Sequence, residues 1–193
     1  LNTGRHGGAI YGSEQNYIRI LECRFVKNVA QNGGAGYLKK IRFHIVNNKS
    51  IFISSAINQK RKDSGIFYIK NTAALLNDHS IFVSSLATGR RDGGSFYLFR
   101  VNFIQNLHCL YRSNFGIARS GGCIFGESGH LLINVNVTFI NGTALQGAGM
   151  SLKKFEKVIN IHVHFCRNNI FDQTRYKKRR GFGGSIYYED VKY

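Results

Sequence analysis

The side chains with the clearest chemical potential in this sequence are cations, and they are grouped along the chain. Of the 193 residues, 27 are Lys or Arg and 10 are Asp or Glu, which gives a net charge of +17. Such a surplus constrains the partners and the solubility of a protein, not its fold. It favours an anionic partner: nucleic acid, acidic glycan, anionic lipid or an acidic protein surface. One group of cations comprises Lys60, Arg61, Lys62, Arg90, Arg91, Arg119, Lys177, Lys178, Arg179 and Arg180.

These cations precede a recurring double-glycine motif, and a second group follows the motif. Stacked repeats would turn each group into a stripe. Like charges at strand spacing repel, so a stripe costs stability unless an anion screens it. We therefore predict that the first group forms a basic edge that binds an acidic protein surface or a polyanion, either glycan or nucleic acid. The alternative is a solvated edge that blocks lateral aggregation. The second group is Lys39, Lys40, Lys70, Arg100, Lys153 and Lys154.

Histidines offer a possible metal site, but the sequence supplies too few of them at one place. His162 and His164 are two residues apart and are expected on one outward face. His79 and His108 are expected in one outward column of adjacent repeats. A catalytic zinc normally takes three protein ligands, and no third ligand is evident in the sequence. We therefore predict no metal site and no cofactor.

Two aspartates, Asp63 and Asp92, precede the double-glycine motif in successive repeats and are candidates for a pair of catalytic carboxylates. Their basic neighbours Lys62 and Arg91 would keep both ionised, which opposes a general-acid role. Nucleophile elbows and phosphate-binding loops are absent. The sequence therefore predicts a protein that is not an enzyme, and a polysaccharide-active enzyme is retained only as an alternative.

The four cysteines, Cys23, Cys109, Cys123 and Cys166, do not pair by spacing. Cys23 and Cys109 are expected in one inward column, but three repeats apart. At a strand spacing of roughly 4.8 Å that separation is about 14 Å, which exceeds the reach of a disulfide. No C-x-x-C pair exists, so zinc-ribbon and thioredoxin-like sites are excluded. We predict buried free thiols.

Three sequons for asparagine glycosylation occur, beginning at Asn48, Asn136 and Asn141. Such sequons arise often by chance in a chain rich in asparagine. They become acceptor sites only if the protein enters a secretory pathway.

The element that positions all of these side chains is a repeat marked by two glycines. Clear copies include Gly7-Gly8-Ala9-Ile10-Tyr11 and Gly93-Gly94-Ser95-Phe96-Tyr97. Copies start at positions 7, 33, 64, 93, 121, 147 and 183, with spacings of 26 to 36 residues. A period in this range is typical of solenoids. A β-propeller is the rival architecture, but its blades usually need about forty residues.

A second landmark follows about eighteen residues after each first glycine, and it is aromatic. Apolar residues alternate around it, which predicts strands with one buried face, for example Leu21, Cys23 and Phe25. Three residues later a polar column is expected, formed by Asn28, Ser55, Ser85, Asn114 and Asn168. The aromatic column itself is Phe25, Phe52, Phe82, Tyr111, Phe139 and Phe165.

These periods predict an all-β chain, folded as one single-stranded parallel β-helix over residues 1–193. We expect about six coils of 26–36 residues with two or three short strands each, and a right-handed path, as parallel crossovers have. No run of eighteen apolar residues is present, so no transmembrane helix is predicted. The chain enters a repeat at once and stops within one, so we expect a segment of a longer solenoid.

The two repeated motifs resemble those of polymorphic outer-membrane protein repeats, which carry a Gly-Gly-Ala-aliphatic and a Phe-x-x-Asn tetrapeptide in each coil. Gly7-Gly8-Ala9-Ile10 matches the first, and Phe25-Val26-Lys27-Asn28 and Phe165-Cys166-Arg167-Asn168 match the second. The resemblance covers nearly the whole chain. It implies a right-handed β-helix displayed on the cell surface and used in adhesion, and it supplies no catalytic residues.

The function predicted from the sequence is a non-enzymatic structural or adhesive scaffold of a surface or filament assembly, extracellular or at the cell surface. Its partners would be an acidic surface and neighbouring segments or copies in that assembly. The first alternative is a basic component of a ribonucleoprotein or another organellar assembly. RNA binding usually adds aromatic residues among the cations, and the stripes contain only Tyr176.

Overall fold

The strands define a solenoid. A computed structural model describes residues 3–53, 56–57, 65–87, 93–170 and 184–191. Its first strands are β1 Thr3–His6, β2 Ile10–Ser13, β3 Tyr17–Leu21, β4 Arg24–Val26, β5 Val29–Asn32, β6 Gly36–Lys39, β7 His44–Asn48, β8 Ile51–Ile53, β9 Ala56–Ile57, β10 Phe67–Asp78 and β11 Ile81–Val83. The remaining strands are β12 Leu86–Ala87, β13 Phe96–Leu107, β14 Leu110–Arg112, β15 Phe115–Ser120, β16 Ile124–Val135, β17 Thr138–Ile140, β18 Thr143–Gln146, β19 Met150–Ile161, β20 His164–Cys166, β21 Asn169–Ile170 and β22 Ile186–Glu189.

These strands form three parallel sheets, and each complete coil in the described part of the chain contributes to all three. The sheets contain seven, nine and six strands. In the six-stranded sheet the spatial order is β20-β17-β14-β11-β8-β4, so consecutive coils are direct neighbours. The registers are parallel, for example Phe82 beside Phe52 and Tyr111. The predicted parallel β-helix is confirmed.

The predicted aromatic column lies inside the solenoid, one ring per coil. Consecutive ring centroids are 4.8 to 5.1 Å apart and the interplanar angles are 3° to 12°. These distances follow from the spacing of about 4.8 Å between hydrogen-bonded strands. The rings at the centre of the column are fully buried, whereas Phe25 and Phe165 at its ends are half-buried. The column predicted from the sequence is confirmed.

A second column, interior except for the exposed Asn160 at its end, consists of asparagines and was not predicted. The side-chain Nδ2 of each of the first four donates a hydrogen bond to Oδ1 of the next asparagine, at 2.7 to 2.8 Å, and Nδ2 of Asn160 donates to the hydroxyl of Tyr188 at 3.1 Å. The hydroxyl of Tyr111 also donates to Oδ1 of Asn106 at 2.9 Å, which links this ladder to the aromatic column. Amide groups inside a core need such partners, because an unpaired buried polar group is costly. The ladder is Asn47, Asn77, Asn106, Asn134 and Asn160.

Left-handed backbone bends define the corners of each coil. Besides the first glycine, three further positions per coil adopt a positive φ close to 50°. The column between the nine-stranded and the six-stranded sheets is Glu22, Lys49, His79, His108, Asn136 and His162. Asn and His tolerate this conformation better than most residues.

The bends change which side chains face inward. We predicted that Leu21 shares a buried face with Cys23 and Phe25, but Leu21 is 50% exposed, and the equivalent Ile161 is 45% exposed. This prediction was wrong because the left-handed Glu22 interrupts the strand and reverses its alternation.

The strands after the double-glycine corner are longer than predicted. β10, β13, β16 and β19 each run for 12 residues, whereas we expected only short strands. Each bends in its middle at one left-handed residue and stays hydrogen-bonded to its neighbours on both sides of the bend. These bend residues are Asn71, Arg100, Ser128 and Lys154.

The double-glycine corner is formed by two residues with different constraints. Gly93 has a φ of +109°, which a residue with a side chain rarely adopts. Gly94 approaches the next coil so closely that a Cβ would overlap the carbonyl oxygen of Gly122.

The predicted polar column also lies in the interior. The backbone N–H of Ser85 donates to Oδ1 of Asn114 at 3.2 Å, and Nδ2 of Asn114 donates to the carbonyl of Phe82 at 3.1 Å. Asn168 repeats the pattern with Gly142 and Phe139. Ser55 lies outside the described residues. For Ser85, Asn114 and Asn168, side-chain bonding along the stack at this turn is confirmed.

Candidate anion-binding groove

The second group of cations lies in two neighbouring columns, not in one stripe. In the first column Lys39 pairs in register with Lys70, and Lys70 with Phe99. Glu127 follows, then Lys153 and Glu189. The second column is the bend column: Glu14, Lys40, Asn71, Arg100, Ser128, Lys154 and Asp190. Acidic, neutral and aromatic residues therefore interrupt the positive charge that the sequence predicted as continuous.

The bend column borders a groove of about 650 Å³ that crosses four coils. Buried Ile41 and Thr72 and half-buried Ala73 also line it. The polar side chains of the lining are exposed: Glu14, Lys40, Arg42, Asn71, Arg100 and Asn102. Three cations, two amides and one carboxylate thus converge on one concave surface.

The charges in this groove are only partly neutralised. Nζ of Lys40 lies 2.7 Å from Oε1 of Glu14. This hydrogen bond lowers the pKa of the Glu14 carboxyl and raises the pKa of the Lys40 ammonium. Arg42 and Arg100 form no ion pair with any residue in the described part of the chain. Their guanidinium groups present planar sets of N–H donors that suit carboxylate, sulfate or phosphate oxygens.

An aromatic ring supports the cations beside the groove. Nζ of Lys70 is 5.2 Å from the ring centroid of Phe99, and the guanidinium carbon of Arg100 is 5.1 Å from it. A cation over an aromatic face is attracted by the ring quadrupole. Phe99 thus holds two cations on one surface where their mutual repulsion would otherwise separate them.

Further outward aromatic rings stack beside these columns; the rings in the later coils of this stack are buried, whereas Tyr11 at its first end is 56% exposed. Tyr11, Tyr37, Tyr68, Tyr97 and Phe125 form a stack with centroids 4.8 to 5.7 Å apart. Tyr97 is only 1% exposed. The buried rings of this stack, Tyr68, Tyr97 and Phe125, cannot stack on the bases of a bound nucleic acid. This stack was not predicted from the sequence, although the Tyr that recurs four residues after the first glycine indicated it.

No protein-family model, curated protein or solved structure matches this chain.

The first group of cations cannot be placed in the same way. Arg119 belongs to β15, but its side chain is not among those described. The candidate carboxylates Asp63 and Asp92 also lie outside the described residues. The basic edge therefore remains a prediction. Its other members all lie outside the described residues: Lys60, Arg61, Lys62, Arg90, Arg91, Lys177, Lys178, Arg179 and Arg180.

The histidines form a cluster that the sequence only partly indicated. The imidazoles of His79 and His108 stack with centroids 4.5 Å apart, as expected for one column. Asp78 lies between them, with Oδ1 2.7 Å from Nδ1 of His79 and 3.5 Å from Nδ1 of His108. In the sequence, the only indication of this third group was that Asp78 directly precedes His79. His162 occupies a corner and His164 a strand, so they do not form a matching pair.

All four cysteines are free, but they differ in burial. Burial raises the pKa of the Cys109 and Cys123 thiols to about 12. Cys23 is half-buried and Cys166 is exposed, so the prediction of buried thiols is wrong for Cys166. Cys166 pairs in register with Ile140 of the preceding coil, in a column of side chains that faces outward.

The three sequon asparagines differ in accessibility. Asn136 is exposed at a corner, and Asn141 is half-buried at another. Oδ1 of Asn48 is buried and has no hydrogen-bond partner among the described residues. Of the three, Asn136 presents its side chain most openly to solvent.

Within the described ranges, no helix has the length and apolar character needed to cross a membrane.

Proposed function

We propose that the protein is a non-enzymatic structural scaffold that binds an acidic partner along its surface, as an adhesive component of a surface or filament assembly. The observation that carries this proposal is the groove lined by Lys40, Arg42 and Arg100. It crosses four coils, so it can follow an extended anionic chain for three strand spacings, roughly 14 Å. The amides of Asn71 and Asn102 add neutral hydrogen-bond donors.

An acidic polysaccharide is the favoured partner over RNA. Phe99, the ring that contacts the groove cation Arg100, is half-buried, and Tyr97 in the neighbouring stack is 1% exposed. Phe43, next to Arg42 in the chain, is 46% exposed, but its ring already stacks on Tyr17 with centroids 5.0 Å apart. Single-stranded nucleic acids are typically held by exposed aromatic side chains in addition to cations. A polysaccharide with sulfate or carboxylate groups requires only the charges and the hydrogen-bond donors. The resemblance to surface-displayed repeats is compatible with this choice.

The test is binding of heparin, as a charged polysaccharide, and of poly-uridylate RNA over a salt series. The groove variant is Arg42→Gln with Arg100→Asn, since Asn71 occupies the bend position of Arg100 in the preceding coil. The matched control replaces two exposed arginines of the six-stranded sheet, Arg24→Gln with Arg112→Gln. Both double variants lose the same charge.

We expect the groove variant to bind heparin more weakly than the control does, with a shallower dependence of affinity on salt. For single-stranded nucleic acid the slope changes by roughly 0.7 for each phosphate that the protein no longer neutralises, or about 1.4 for two phosphates. If affinity for heparin depended on salt with the same slope in the two double variants, the groove would not be the binding surface. The same assay with Arg61→Ala and Arg91→Ala tests the basic edge separately.

A further inference from the structure

We infer that Asp78, His79 and His108 form a binding site for a divalent transition-metal ion that bridges two adjacent coils. One carboxylate oxygen and two imidazole nitrogens lie within 4.8 Å of one another. Asp78 and His79 belong to one coil and His108 to the next, since Asp78 pairs in register with Leu107. The side chains are 39%, 55% and 45% exposed, so an ion can reach them directly from solvent.

The backbone fixes the positions of these ligands before any metal binds. His79 and His108 adopt left-handed conformations with φ of 45° and 49°. Their N–H groups donate to the carbonyls of Leu107 and Val135, both at 3.0 Å. The two Cα atoms are therefore held at the spacing of the coils, and only side-chain torsions remain to adjust.

The donor set suits first-row transition metals. Imidazole nitrogen and carboxylate oxygen bind Zn²⁺ at about 2.0 to 2.2 Å, which places tetrahedral ligand atoms about 3.4 Å apart. The 3.5 Å between Oδ1 of Asp78 and Nδ1 of His108 already matches this separation. The 2.7 Å contact with His79 must open by about 0.7 Å, within the range of a small side-chain rotation. Three protein ligands leave one coordination position open to solvent.

The other described positions of the same corner column lack a carboxylate combined with two imidazoles. At the level of Lys49, Nζ lies 3.6 Å from Oε1 of Glu22, so the pair is a salt bridge without imidazole. Asn136 occupies the level after His108. His162 has an imidazole at the same corner, but no carboxylate joins it in a three-ligand group. The site is thus specific to one pair of coils, and His162 offers a matched control.

The test of this site does not depend on the function proposed for the groove, because it measures the binding of metal ions alone. The test is calorimetric titration with ZnCl₂, together with the visible absorption spectrum after addition of Co²⁺. All proteins carry Cys166→Ser, which removes an exposed thiol that would compete for either ion. Asp78→Asn and His108→Asn remove ligands by substitutions that the fold already accepts. Asn48 lies in the column of Asp78, and Asn136 lies in that of His108.

We expect one Zn²⁺ per chain, a tetrahedral Co²⁺ spectrum and a higher midpoint of thermal unfolding with Zn²⁺. Asp78→Asn and His108→Asn should each weaken binding at least tenfold and abolish the spectrum. His162→Asn should bind as tightly as the protein with all its histidines. Circular dichroism of each variant without metal verifies that the fold is intact.

Three results would overturn the inference. The first is an absence of stoichiometric Zn²⁺ binding. The second is equal affinity of the His108→Asn and His162→Asn variants. The third is a folded Asp78→Asn variant with unchanged affinity and Co²⁺ spectrum, which would place the ion elsewhere.

Discussion

At the scale of single residues, environment distinguishes side chains of the same type. Cys109 and Cys123 are buried, and burial raises the pKa of both thiols to about 12. Cys166, at the end of β20, is exposed. The columns explain how the interior accommodates the buried thiols. Cys109 follows Ser50 and Ser80 along one column, and Cys123 follows Ser95 along another, so each replaces a small hydroxyl with a small thiol.

This burial predicts how stability depends on pH. In the unfolded chain a thiol ionises near pH 8.5, whereas the folded-state pKa of Cys109 and Cys123 is about 12. The stabilisation that each protonated thiol contributes to the free energy of unfolding is therefore fully present below about pH 8.5. It is lost as the pH rises towards 12. The free energy of unfolding should fall by up to ~1.4 kcal/mol per pH unit for each thiol. Urea denaturation between pH 8 and pH 10.5 measures this decline.

The matched variant for this prediction is Cys109→Ser with Cys123→Ser, because serine already occupies both columns. Serine does not ionise in this range, so the double variant should lose stability with pH less steeply than the wild type. Parallel curves for the two proteins would show that other groups carry the alkaline loss. Each single variant should remove about half of the difference in slope, since the thiols lie in different columns and are expected to act independently.

At the scale of elements, the corner between coils depends on close backbone approach. A side chain at Gly94 would overlap the carbonyl oxygen of Gly122 in the next coil. The N–H of Gly94 donates to the carbonyl of Gly121 at 3.1 Å, which holds the two corners together. A Cβ at position 94 therefore has no room in this corner, independently of φ, although the equivalent position of the sixth copy is Ala148.

Gly94→Ala should consequently destabilise the protein, by about 1 to 3 kcal/mol or more, because backbone must move to relieve the overlap. Gly184 is the equivalent second glycine of the last copy, and a Cβ there has no heavy atom of the described residues within 4 Å. Gly184→Ala is therefore the matched control, and it should leave stability within about 0.5 kcal/mol of the wild type. Thermal and urea unfolding of both variants measure the difference. Similar losses in the two variants would contradict the stacking argument.

The 12-residue strands show a second property of elements that bears on function. A left-handed residue in the middle of β10 and β13 bends each strand without ending its pairing. The bends at Asn71 and Arg100 border the groove, with Ala73 and Asn102 on its wall. A straight strand would leave a flat surface, so the groove exists because these strands bend at the same register position.

At the scale of the whole molecule, each coil contacts mainly the coils before and after it. The stability of such an array is approximately a sum of coil and interface contributions. Phe82 in the middle stacks on Phe52 and Tyr111 and packs edge-on against Phe96. Phe25 in the first described coil stacks on Phe52 alone and is half-buried. A phenylalanine of this column is therefore expected to contribute more to stability in a central coil than in an end coil.

We expect Phe82→Ala to cost about 3 to 5 kcal/mol of unfolding free energy, the range for a large aromatic side chain removed from a core. Phe25→Ala, as the matched control, should cost clearly less, because its side chain has a neighbouring ring on one side only. Urea denaturation of the two variants compares these costs. Equal losses would indicate that position along the solenoid does not determine the contribution of a ring.

The sequence by itself determined the architecture and much of the interior. The double glycines and the aromatic residues recur at nearly constant offsets, so Phe52, Phe82 and Tyr111 could be assigned to one stacked column from the sequence alone. The physical reason is that a solenoid adds the same strand spacing at every coil. Residues at equal offsets must then lie above one another.

The tertiary structure decided which side chains face outward and which groups meet. Leu21 fits an alternating strand, yet it is exposed because Glu22 is left-handed, and a single φ of that kind cannot be inferred from apolar alternation. The asparagine ladder was not predicted, because Asn47 and its equivalents resemble ordinary surface residues in the sequence. The bends turn these side chains inward. The contact between Asp78 and His108 joins residues 30 positions apart. Such proximity depends on the length of each connecting loop, which varies from coil to coil, and on the corner conformations that aim the side chains. These quantities arise only when the coils stack.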